Sequence, residues 1–315
     1  MSSNNYVFGA GACAVDHVCL VPRLPEKGET LLGTKYWTQF GGKGSNACVT
    51  VCKLGGRASF LGRVGDDSWA EKFIDSLEEN KVDCHVIKTP GVHTGTAFIN
   101  LTTDGENQII GVLGANNKVS VDDVDNVKEL IQNAVVVVCS LEFPNETAIK
   151  ILESSRRSSI LIAAPSQKNL NPALFTLPTI FCVNQTEAEV YSGIKINDIS
   201  DLKLAVYKLL EKGCNIVIIT LGVDGAIYAS RNVPTPVHVM CPEVECVDST
   251  GAGDAFVGVL AYLMAYKRHL SLKEMVEAAC HCAAYTVCRK GSQSAMPDES
   301  VLNEFLDSKI TSVFY

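Results

Sequence analysis

Short apolar runs alternate with amphipathic stretches from about residue 120 to the end of the chain. The continuous run AVVVVC at 134–139 is typical of a strand buried on both faces of a sheet. The predicted strands are Tyr6–Val15, Ala134–Cys139, Ile160–Ala164, Thr179–Val183, Asn215–Leu221, Ala226–Ser230 and Val237–Cys241. The predicted helices are Val121–Gln132, Asn145–Ser154, Glu187–Tyr191, Asp201–Lys212, Ala252–Tyr266 and Leu272–Val287. This alternation predicts an α/β fold, a doubly wound and mostly parallel sheet with helices on both faces.

A different pattern occupies the first third of the chain, where short alternating stretches are separated by turn residues. These stretches are Lys35–Phe40, Thr94–Thr102 and Gln108–Val112, with the turn Asp104-Gly105 between the last two. They predict a small β-sheet lid made by excursions within roughly 16–42 and 92–114. We expect residues 1–315 to form a single α/β domain that carries this lid.

Two glycine-rich segments stand at the starts of predicted helices. GAGD at 251–254 opens one helix, and GGKG at 41–44 leads into an apolar stretch that ends at Gly55-Gly56. Glycine permits close approach of the backbone to a ligand, and amides at a helix N-terminus favour anions. Each motif alone is equally compatible with a capped helix or a flexible turn. Their position beyond strand ends, where open α/β sheets bind ligands, makes them candidate site segments.

The carboxylate of Asp254, the last residue of GAGD, indicates a specific chemistry. A bound phosphate would repel Asp254 unless this side chain accepts a proton beside it. The motif therefore indicates phosphoryl transfer to a hydroxyl, with Asp254 as the base. Lys43 and Asn46 provide polar groups at the mouth of the other loop. GxxxxGK[ST] does not occur, so neither segment is a Walker A loop.

The composition and the net charge speak against some classes of binding partner. The net charge is −8 and no basic run occurs, so we expect no nucleic-acid partner. The 13 cysteines form no CxxC and no Cys/His ligand spacing, and many lie in apolar runs. This favours reduced, buried thiols in a cytoplasmic protein, with the nucleus left open as a second compartment. The sequence begins without a signal-peptide pattern and has no apolar run long enough to span a bilayer, so we expect no membrane partner.

Ten motifs in order over nearly the whole chain resemble the ribokinase-type (pfkB) carbohydrate kinase family. They are Asp16, PEKGET at 25–30, GGKGSN at 41–46, LGG…GRVGDD at 54–67, GAN at 114–116, LE at 141–142, NQTEAE at 184–189, ITLGVDG at 219–225, DSTGAGD at 248–254 and RKGSQ at 289–293. Within the family, KGET, GAN and RKG are most similar to the eukaryotic ribokinase branch.

The resemblance implies transfer of a phosphoryl group from ATP to O5 of D-ribose, which gives ribose 5-phosphate. It implies that Asp254 is the base and that the amides of Gly251, Ala252 and Gly253 form an anion hole. The residues implied to hold the sugar are Ala14, Asp16, Gly42, Lys43, Gly44, Asn46, Glu142 and Asp254. Those implied to line the nucleotide are Asn184, Thr220, Gly222, Gly225, Gly253 and Cys280.

The resemblance also implies Mg²⁺, K⁺ and a homodimer. Glu187 would serve Mg²⁺ through water, since this ion keeps several waters. The monovalent cation site would use Asp248, Thr250, Thr286, Arg289 and Gly291, mostly through backbone carbonyls. The lid would pair with the lid of a second copy, because an exposed β layer needs cover.

Four positions depart from the family pattern. Many members have asparagine at the positions of Ala14 and Ala163, asparagine or histidine at Cys280, and serine at Ala295. These departures leave open a kinase for deoxyribose, another pentose or a nucleoside. Two other classes are a dinucleotide-dependent oxidoreductase and a non-catalytic sugar-binding protein. GxGxxG is not satisfied at 9–14, which speaks against the oxidoreductase.

Overall fold

The computed structural model describes residues 5–103 and 107–313, so the predicted turn Asp104-Gly105 lies outside the described residues. The strands are β1 Val7–Ala10, β2 Ala14–Val21, β3 Lys35–Gly41, β4 Ala58–Val64, β5 Asp83–Lys88, β6 Gly95–Thr102, β7 Asn107–Val112, β8 Val136–Ser140, β9 Ser158–Ile162, β10 Ile180–Asn184, β11 Ile216–Thr220, β12 Ala226–Ser230 and β13 Val237–Val239. The helices are α1 Lys43–Lys53, α2 Ser68–Glu79, α3 Val121–Asn126, α4 Lys128–Asn133, α5 Asn145–Ser154, α6 Ala173–Thr176, α7 Gln185–Ser192, α8 Ile199–Glu211, α9 Ala252–Tyr266, α10 Leu272–Val287 and α11 Glu299–Val313.

Nine of the strands form one sheet in the order β13-β12-β11-β10-β9-β8-β1-β4-β5 over the described part of the chain. All neighbours are parallel except β11–β12 and β12–β13. Apolar side chains on one face pack with α1, α2 and α9–α11, and those on the other face pack with α3–α8. The predicted doubly wound α/β sheet is therefore confirmed. In the described residues, no helix is both long and apolar enough to cross a membrane.

The other four strands form the small sheet, in the order β3-β2-β6-β7. Its strands β2 and β6 are parallel, and the two outer pairs are antiparallel. This is the predicted lid sheet. Its small apolar cluster of Val18, Ile99 and Leu101 is separate from the two clusters of the main sheet.

The single strand predicted over Tyr6–Val15 is wrong, because the chain changes sheets inside it. Residues 7–10 pair with β4 and β8, and Ala14 onward pairs with β3 and β6. At the junction, a Cβ on Gly11 would lie 2.7 Å from the amide nitrogen of Gly44, so the chain passes there without a side chain. The side chain of Asn116 then binds both backbone groups of Cys13. Its Oδ1 accepts from the amide nitrogen at 2.8 Å, and its Nδ2 donates to the carbonyl oxygen at 3.0 Å.

Local context also changes other predicted elements. The helix predicted over Val121–Gln132 is two helices, interrupted at Val127, whose φ of −113° and ψ of 15° leave the helical range. Sequence reasoning missed β4, α2, β5, α6 and α11. For α2 a signal was present, because the Asp67 side chain caps the helix and Ala70, Phe73 and Leu77 share its buried face.

Helices α1 and α9 pack closely at Gly258, and this contact brings together the helix ends that carry the two glycine motifs. A Cβ on Gly258 of α9 would lie 2.4 Å from Cβ of Thr50 and 2.9 Å from the carbonyl oxygen of Ala47. Only a residue without a side chain fits this contact. The N-terminal turns of the two helices, which carry the two glycine motifs, are brought together as a result.

Replacing Gly42 should destabilise the fold strongly. Its φ is +113°, and an added Cβ would lie 1.9 Å from the carbonyl oxygen of Ala12. We expect Gly42→Ala to lower the free energy of unfolding by about 3 kcal/mol or more, measured by urea denaturation. Gly91→Ala is the matched control, since Gly91 has φ +71° but no atom within 4 Å of an added Cβ. Equal losses in the two variants would contradict the clash at Gly42.

Candidate active site

A cleft of about 1290 Å³ lies at the carboxyl ends of the main-sheet strands and extends to the lid strands β6 and β7. This is the edge at which parallel α/β sheets bind ligands. The predicted site residues that line the cleft are Ala14, Asp16, Gly42, Lys43, Asn46, Glu142, Asn184, Glu187, Thr220, Gly222, Thr250, Gly251, Ala252, Gly253 and Asp254.

The remaining predicted residues do not line the cleft. They are Gly44, Gly225, Cys280, Asp248, Thr286, Arg289 and Gly291. Gly44 packs against β1, where an added Cβ would lie 2.5 Å from the carbonyl oxygen of Ala10. Cys280 is 2% exposed, and its carbonyl accepts a 3.5 Å hydrogen bond from the thiol of Cys241, which does line the cleft.

Asp254 lies in the first turn of α9 and contacts the first turn of α1. Its Oδ2 accepts a hydrogen bond from Nδ2 of Asn46 at 2.7 Å. The same nitrogen lies 3.0 Å from Oγ of Ser292, and Oδ1 of Asn46 accepts from Nε2 of Gln293 at 3.1 Å. Every polar atom of the Asn46 side chain is therefore engaged, and the Asp254 carboxylate is held at the cleft wall.

The glycine turn before Asp254 presents backbone amides. Gly251 adopts the left-handed conformation with φ +82°, which lets the chain enter α9 directly. The first amides of a helix have no acceptor within the helix and attract anions. The amide of Ala252 has only a long contact of 3.4 Å, to the carbonyl oxygen of Ser249. Gly251, Ala252 and Gly253 line the cleft, so a phosphate could reach this turn.

Lys43 is a cation on which the charges of four carboxylates act. Burial alone would lower the pKa of Lys43, but the surrounding negative charges outweigh burial and raise the pKa. The charges that act on it belong to Asp254, Glu142, Glu187 and Asp16. The lysine therefore stays charged in the cleft, where it can face an anionic or hydroxyl-bearing ligand.

Glu142 ties three segments of the cleft together. Its Oε2 accepts from the amide of Ala12 at 3.1 Å, the amide of Lys43 at 3.0 Å and Oγ of Ser140 at 2.8 Å. Burial raises the pKa of Glu142, while Lys43 opposes the shift. The sequence suggested only a sugar contact here, and the structure adds that this carboxylate joins the β1–β2 connection, β8 and α1.

Asp16 lies on strand β2 of the lid sheet, and its carboxylate is enclosed. It is 7% exposed and lies opposite Gln39 in the β2–β3 register. A Cβ on Gly41 would lie 2.6 Å from its Oδ2, so the first glycine of GGKG makes room for this carboxylate. Burial raises the pKa of Asp16 to about 7, with further increases from Asp254 and Glu142 that Gln39 and Lys43 partly oppose.

Asn184 and Glu187 form a capping box at the start of α7. The amide of Asn184 donates to Glu187 Oε2 at 2.8 Å, and the amide of Glu187 donates to Asn184 Oδ1 at 2.9 Å. Burial raises the pKa of Glu187, although the Asn184 amide and Lys43 lower it. Both side chains line the cleft, so the structural cap and the predicted ligand role fall on the same residues.

Asp248 joins the loop before α9 to the segment after α10. It is 2% exposed, and its carboxylate accepts from the amides of Thr250 and Gly291, each at 3.0 Å. The amides of Val247 and Asp248 both donate to the carbonyl of Val287. The predicted monovalent-cation residues are thus brought together directly behind the glycine turn. The described residues contain no cluster of three or more His, Cys, Asp or Glu side chains suited to a metal.

A family model for pfkB carbohydrate kinases matches residues 4–299. The chain belongs to this family. This carbohydrate kinase is 38% identical to mouse ribokinase over 92% of its own length and 91% of that protein. It is 32% identical to deoxyribokinase from Salmonella typhi, over 94% and 97% of the two chains. The family assignment makes it a phosphotransferase with a sugar hydroxyl group as acceptor.

Solved structures agree with the fold of this kinase. A ribokinase from Arabidopsis thaliana, described as complexed with ribose and ATP, superimposes with a TM-score of 0.84 at 28% identity and covers 96% of this chain and 98% of that one. A ribokinase from Giardia lamblia gives a TM-score of 0.89 over 97% and 99% of the two chains, and at 24% identity it supports the fold alone.

Several residues of this site were not singled out individually by sequence reasoning. Asn116 holds Cys13, and Ser292 and Gln293 hold Asn46. Their signal was present, since GAN and RKGSQ were both recognised as motifs. The lid residues that line the cleft carried no comparable signal, because apolar strand residues are common. They include Thr96, Ala97, Ile99, Ile109 and Val112.

Proposed function

We propose that this kinase transfers the γ-phosphoryl group of ATP to O5 of D-ribose. The observation that carries the proposal is Asp254, held by Asn46 beside a turn of exposed amides in a cleft that Asp16 and Lys43 also line. The similarity to mouse ribokinase and to the Arabidopsis ribokinase with ribose and ATP supports the choice of substrates.

In the proposed reaction, Asp254 accepts the proton of the attacking hydroxyl, and the amides of 251–253 stabilise the charge on the transferred group. The carboxylate of Asp16 accepts hydrogen bonds from sugar hydroxyls, which need partners once they leave water. Asn184, Thr220 and Gly222 line the nucleotide end of the cleft. Phosphoryl transfer requires mainly this positioning and electrostatic stabilisation.

The donor set also fits the two implied cations. The carboxylate of Glu187 offers hard oxygen atoms in the cleft, and such oxygen atoms suit Mg²⁺ that is bound largely through water. Bound Mg²⁺ would neutralise phosphate charge. A K⁺ ion behind the glycine turn would be held by Asp248, Thr250 and the segment 286–291, which Asp248 already joins. The bound cation would stabilise the conformation of the anion-hole turn.

A deoxyribose kinase is the second candidate. Ala14 lines the cleft where many family members have asparagine, so one polar sugar contact is absent. Similarity to the Salmonella deoxyribokinase points in the same direction. The two candidates share the chemistry at O5 and differ in the hydroxyl at C2.

A substrate panel with and without K⁺ tests the proposed function. We expect ADP release to be fastest with D-ribose among ribose, deoxyribose, other pentoses and adenosine, and to increase on replacing Na⁺ by K⁺. Ribose should be preferred because Asp16 and Lys43 can pair a C2 hydroxyl. No turnover of ribose above background, with clear turnover of adenosine, would overturn the ribose assignment.

We also propose a cytoplasmic homodimer that pairs through the outer lid surface. Tyr36, Phe98 and Ile110 are 64%, 53% and 61% exposed on this surface, and exposed apolar side chains on one face can mark an interaction site. Light scattering at micromolar concentration should give the mass of a dimer, and Phe98→Glu should give a monomer. Leu204→Glu, on the exposed side of α8, is the control. A monomer for the unchanged chain would contradict the proposal.

A further inference from the structure

Gln39, on the lid strand β3, carries an amide to which the proposed reaction assigns no role. Its Nε2 is buried and has no hydrogen-bond partner among the residues that the structure describes. An unpaired buried donor costs free energy, and an apolar side chain would avoid this cost. Packing alone therefore does not account for a glutamine at this position.

The Gln39 amide is fixed in one orientation by the indole of Trp37, two residues earlier on the same strand. Nε1 of Trp37 can only donate, and it donates to Oε1 of Gln39 at 3.4 Å. The ring of Trp37 packs against the apolar lid cluster of Val18, Ile99 and Leu101, so the indole itself is held. If the amide turned over, two donors would face each other at Trp37. Oε1 of Gln39 therefore lies on the Trp37 side, and Nε2 lies on the other side.

The carboxylate of Asp16 is the acceptor within reach of Nε2. Asp16 and Gln39 lie directly opposite each other in the antiparallel pair of β2 and β3, and the Cβ atoms of such residues are about 4.5–5.5 Å apart on one face. Burial raises the pKa of Asp16, and hydrogen bonding from the Gln39 side chain is the largest effect that opposes this increase. Gln39 thus acts on Asp16 as a donor, although the two side chains do not reach full hydrogen-bond geometry.

We propose that Gln39 is a positioning residue that orients the Asp16 carboxylate for the sugar. A short movement of either side chain lets Nε2 donate to one carboxylate oxygen, and the other oxygen then faces the sugar hydroxyls. Gln39 does not line the cleft, so it acts through Asp16 and does not touch the substrate. The proposal rests on the proposed role of Asp16 in sugar binding.

Gln39→Met tests this role, because methionine has a similar length but offers no donor. We expect kcat/KM for ribose to fall about 3- to 10-fold at pH 7, with the acidic limb of its pH profile moved to higher pH. A carboxylate that loses a donor is less favoured in its ionised form, so its pKa increases and the loss should be larger at pH 6 than at pH 9. The Tm should be unchanged or raised, since the unpaired donor is removed.

A second readout separates this effect from an effect on the base. The pH profile of kcat/KM reports the free enzyme, whereas that of kcat reports the enzyme with sugar bound. We expect kcat of Gln39→Met at saturating ribose and MgATP to keep the pH profile of the unchanged enzyme. The other charged groups that act on Asp16 are Asp254 and Glu142, which raise its pKa, and Lys43, which lowers it. Neither they nor Asp16 are changed in the variant.

Gln39→Glu should give a larger effect in the same direction, because it places a second carboxylate opposite Asp16. Two neighbouring carboxylates do not both ionise readily, so the acidic limb of kcat/KM should move further than in Gln39→Met. We expect a 10- to 100-fold fall in kcat/KM at pH 7. If this variant does not fold, Gln39→Met decides the matter. Gln132→Met is the matched control, since Gln132 is half-buried on α4 and does not line the cleft.

Two results in the folded Gln39 variants would overturn the proposal. One is an unchanged kcat/KM and pH profile, and the other is a loss that is equal at pH 6 and pH 9, as a merely structural role would give. If Asp16→Asn then still loses the use of ribose, the proposed function stands and only the positioning is wrong. If Asp16→Asn keeps full kcat/KM, the assignment of the sugar carboxylate itself is wrong.

Discussion

Asp254→Asn should lower kcat for ribose phosphorylation about 10³- to 10⁴-fold while leaving ribose binding nearly unchanged. The substitution keeps the size of the side chain, and the new amide oxygen can still accept from Nδ2 of Asn46, which lies 2.7 Å from Oδ2. The loss therefore isolates proton acceptance, for which a positioned base contributes about 10²- to 10⁴-fold. Steady-state ADP release gives kcat, and calorimetry gives the dissociation constant of ribose.

Asp75→Asn is the matched control, because Asp75 is an exposed carboxylate on α2. It should leave kcat and ribose binding as they are. If Asp254→Asn retained kcat within tenfold, Asp254 would not be the base. If it abolished ribose binding, the carboxylate would hold the sugar, and its role in proton transfer would need another test.

Asp16→Asn should weaken the use of ribose about 10²- to 10³-fold in kcat/KM at pH 8, through KM more than kcat. Losing two hydroxyl hydrogen bonds to a buried carboxylate, each worth about 1.5–3 kcal/mol, would cost about 10²- to 10⁴-fold, and the remaining amide oxygen of the variant keeps part of this interaction. The pKa of Asp16 is raised to about 7 by burial. The KM for ribose in the unchanged enzyme should therefore fall as pH rises from 6 to 8, and the variant should lose this dependence.

The same substitution should stabilise the ligand-free fold at high pH. The pKa of Asp16 in the folded protein, about 7, exceeds the ordinary value of 3.8 for an aspartate, so ionisation opposes folding. Stability is lost as pH rises from about 4 to 7, by up to about 4 kcal/mol. Urea unfolding should show Asp16→Asn more stable than the unchanged chain at pH 8 and similar to it at pH 4. Equal stability at both pH values would contradict the enclosed, ionised carboxylate.

Most of the predicted site residues belong to motifs whose order can be read from the sequence alone. NQTE stands where the parallel strand β10 meets α7, at the edge where parallel sheets bind ligands. GGKG instead follows the antiparallel lid strand β3, and GAGD follows a loop after the antiparallel strand β13, so tertiary structure brought these two motifs to the same edge. The strands from Ala134 to Leu221 were predicted because buried parallel strands are continuous apolar runs. Tyr6–Val15 failed because its apolar run continues through a change of sheet that only Gly11 and Asn116 enforce.

The sequence by itself determined the fold class, the glycine turn before Asp254 and the residue types of the site, because these depend on local pattern and backbone freedom. Tertiary structure alone decided which residues meet. Asn46 reaches Asp254 across 208 positions of the chain because α1 and α9 pack without a side chain at Gly258. It also buried Cys280 outside the cleft lining and enclosed Asp16 on the lid sheet. Burial and the field of neighbouring charges set the protonation of that carboxylate, and both depend on distances that no linear pattern contains.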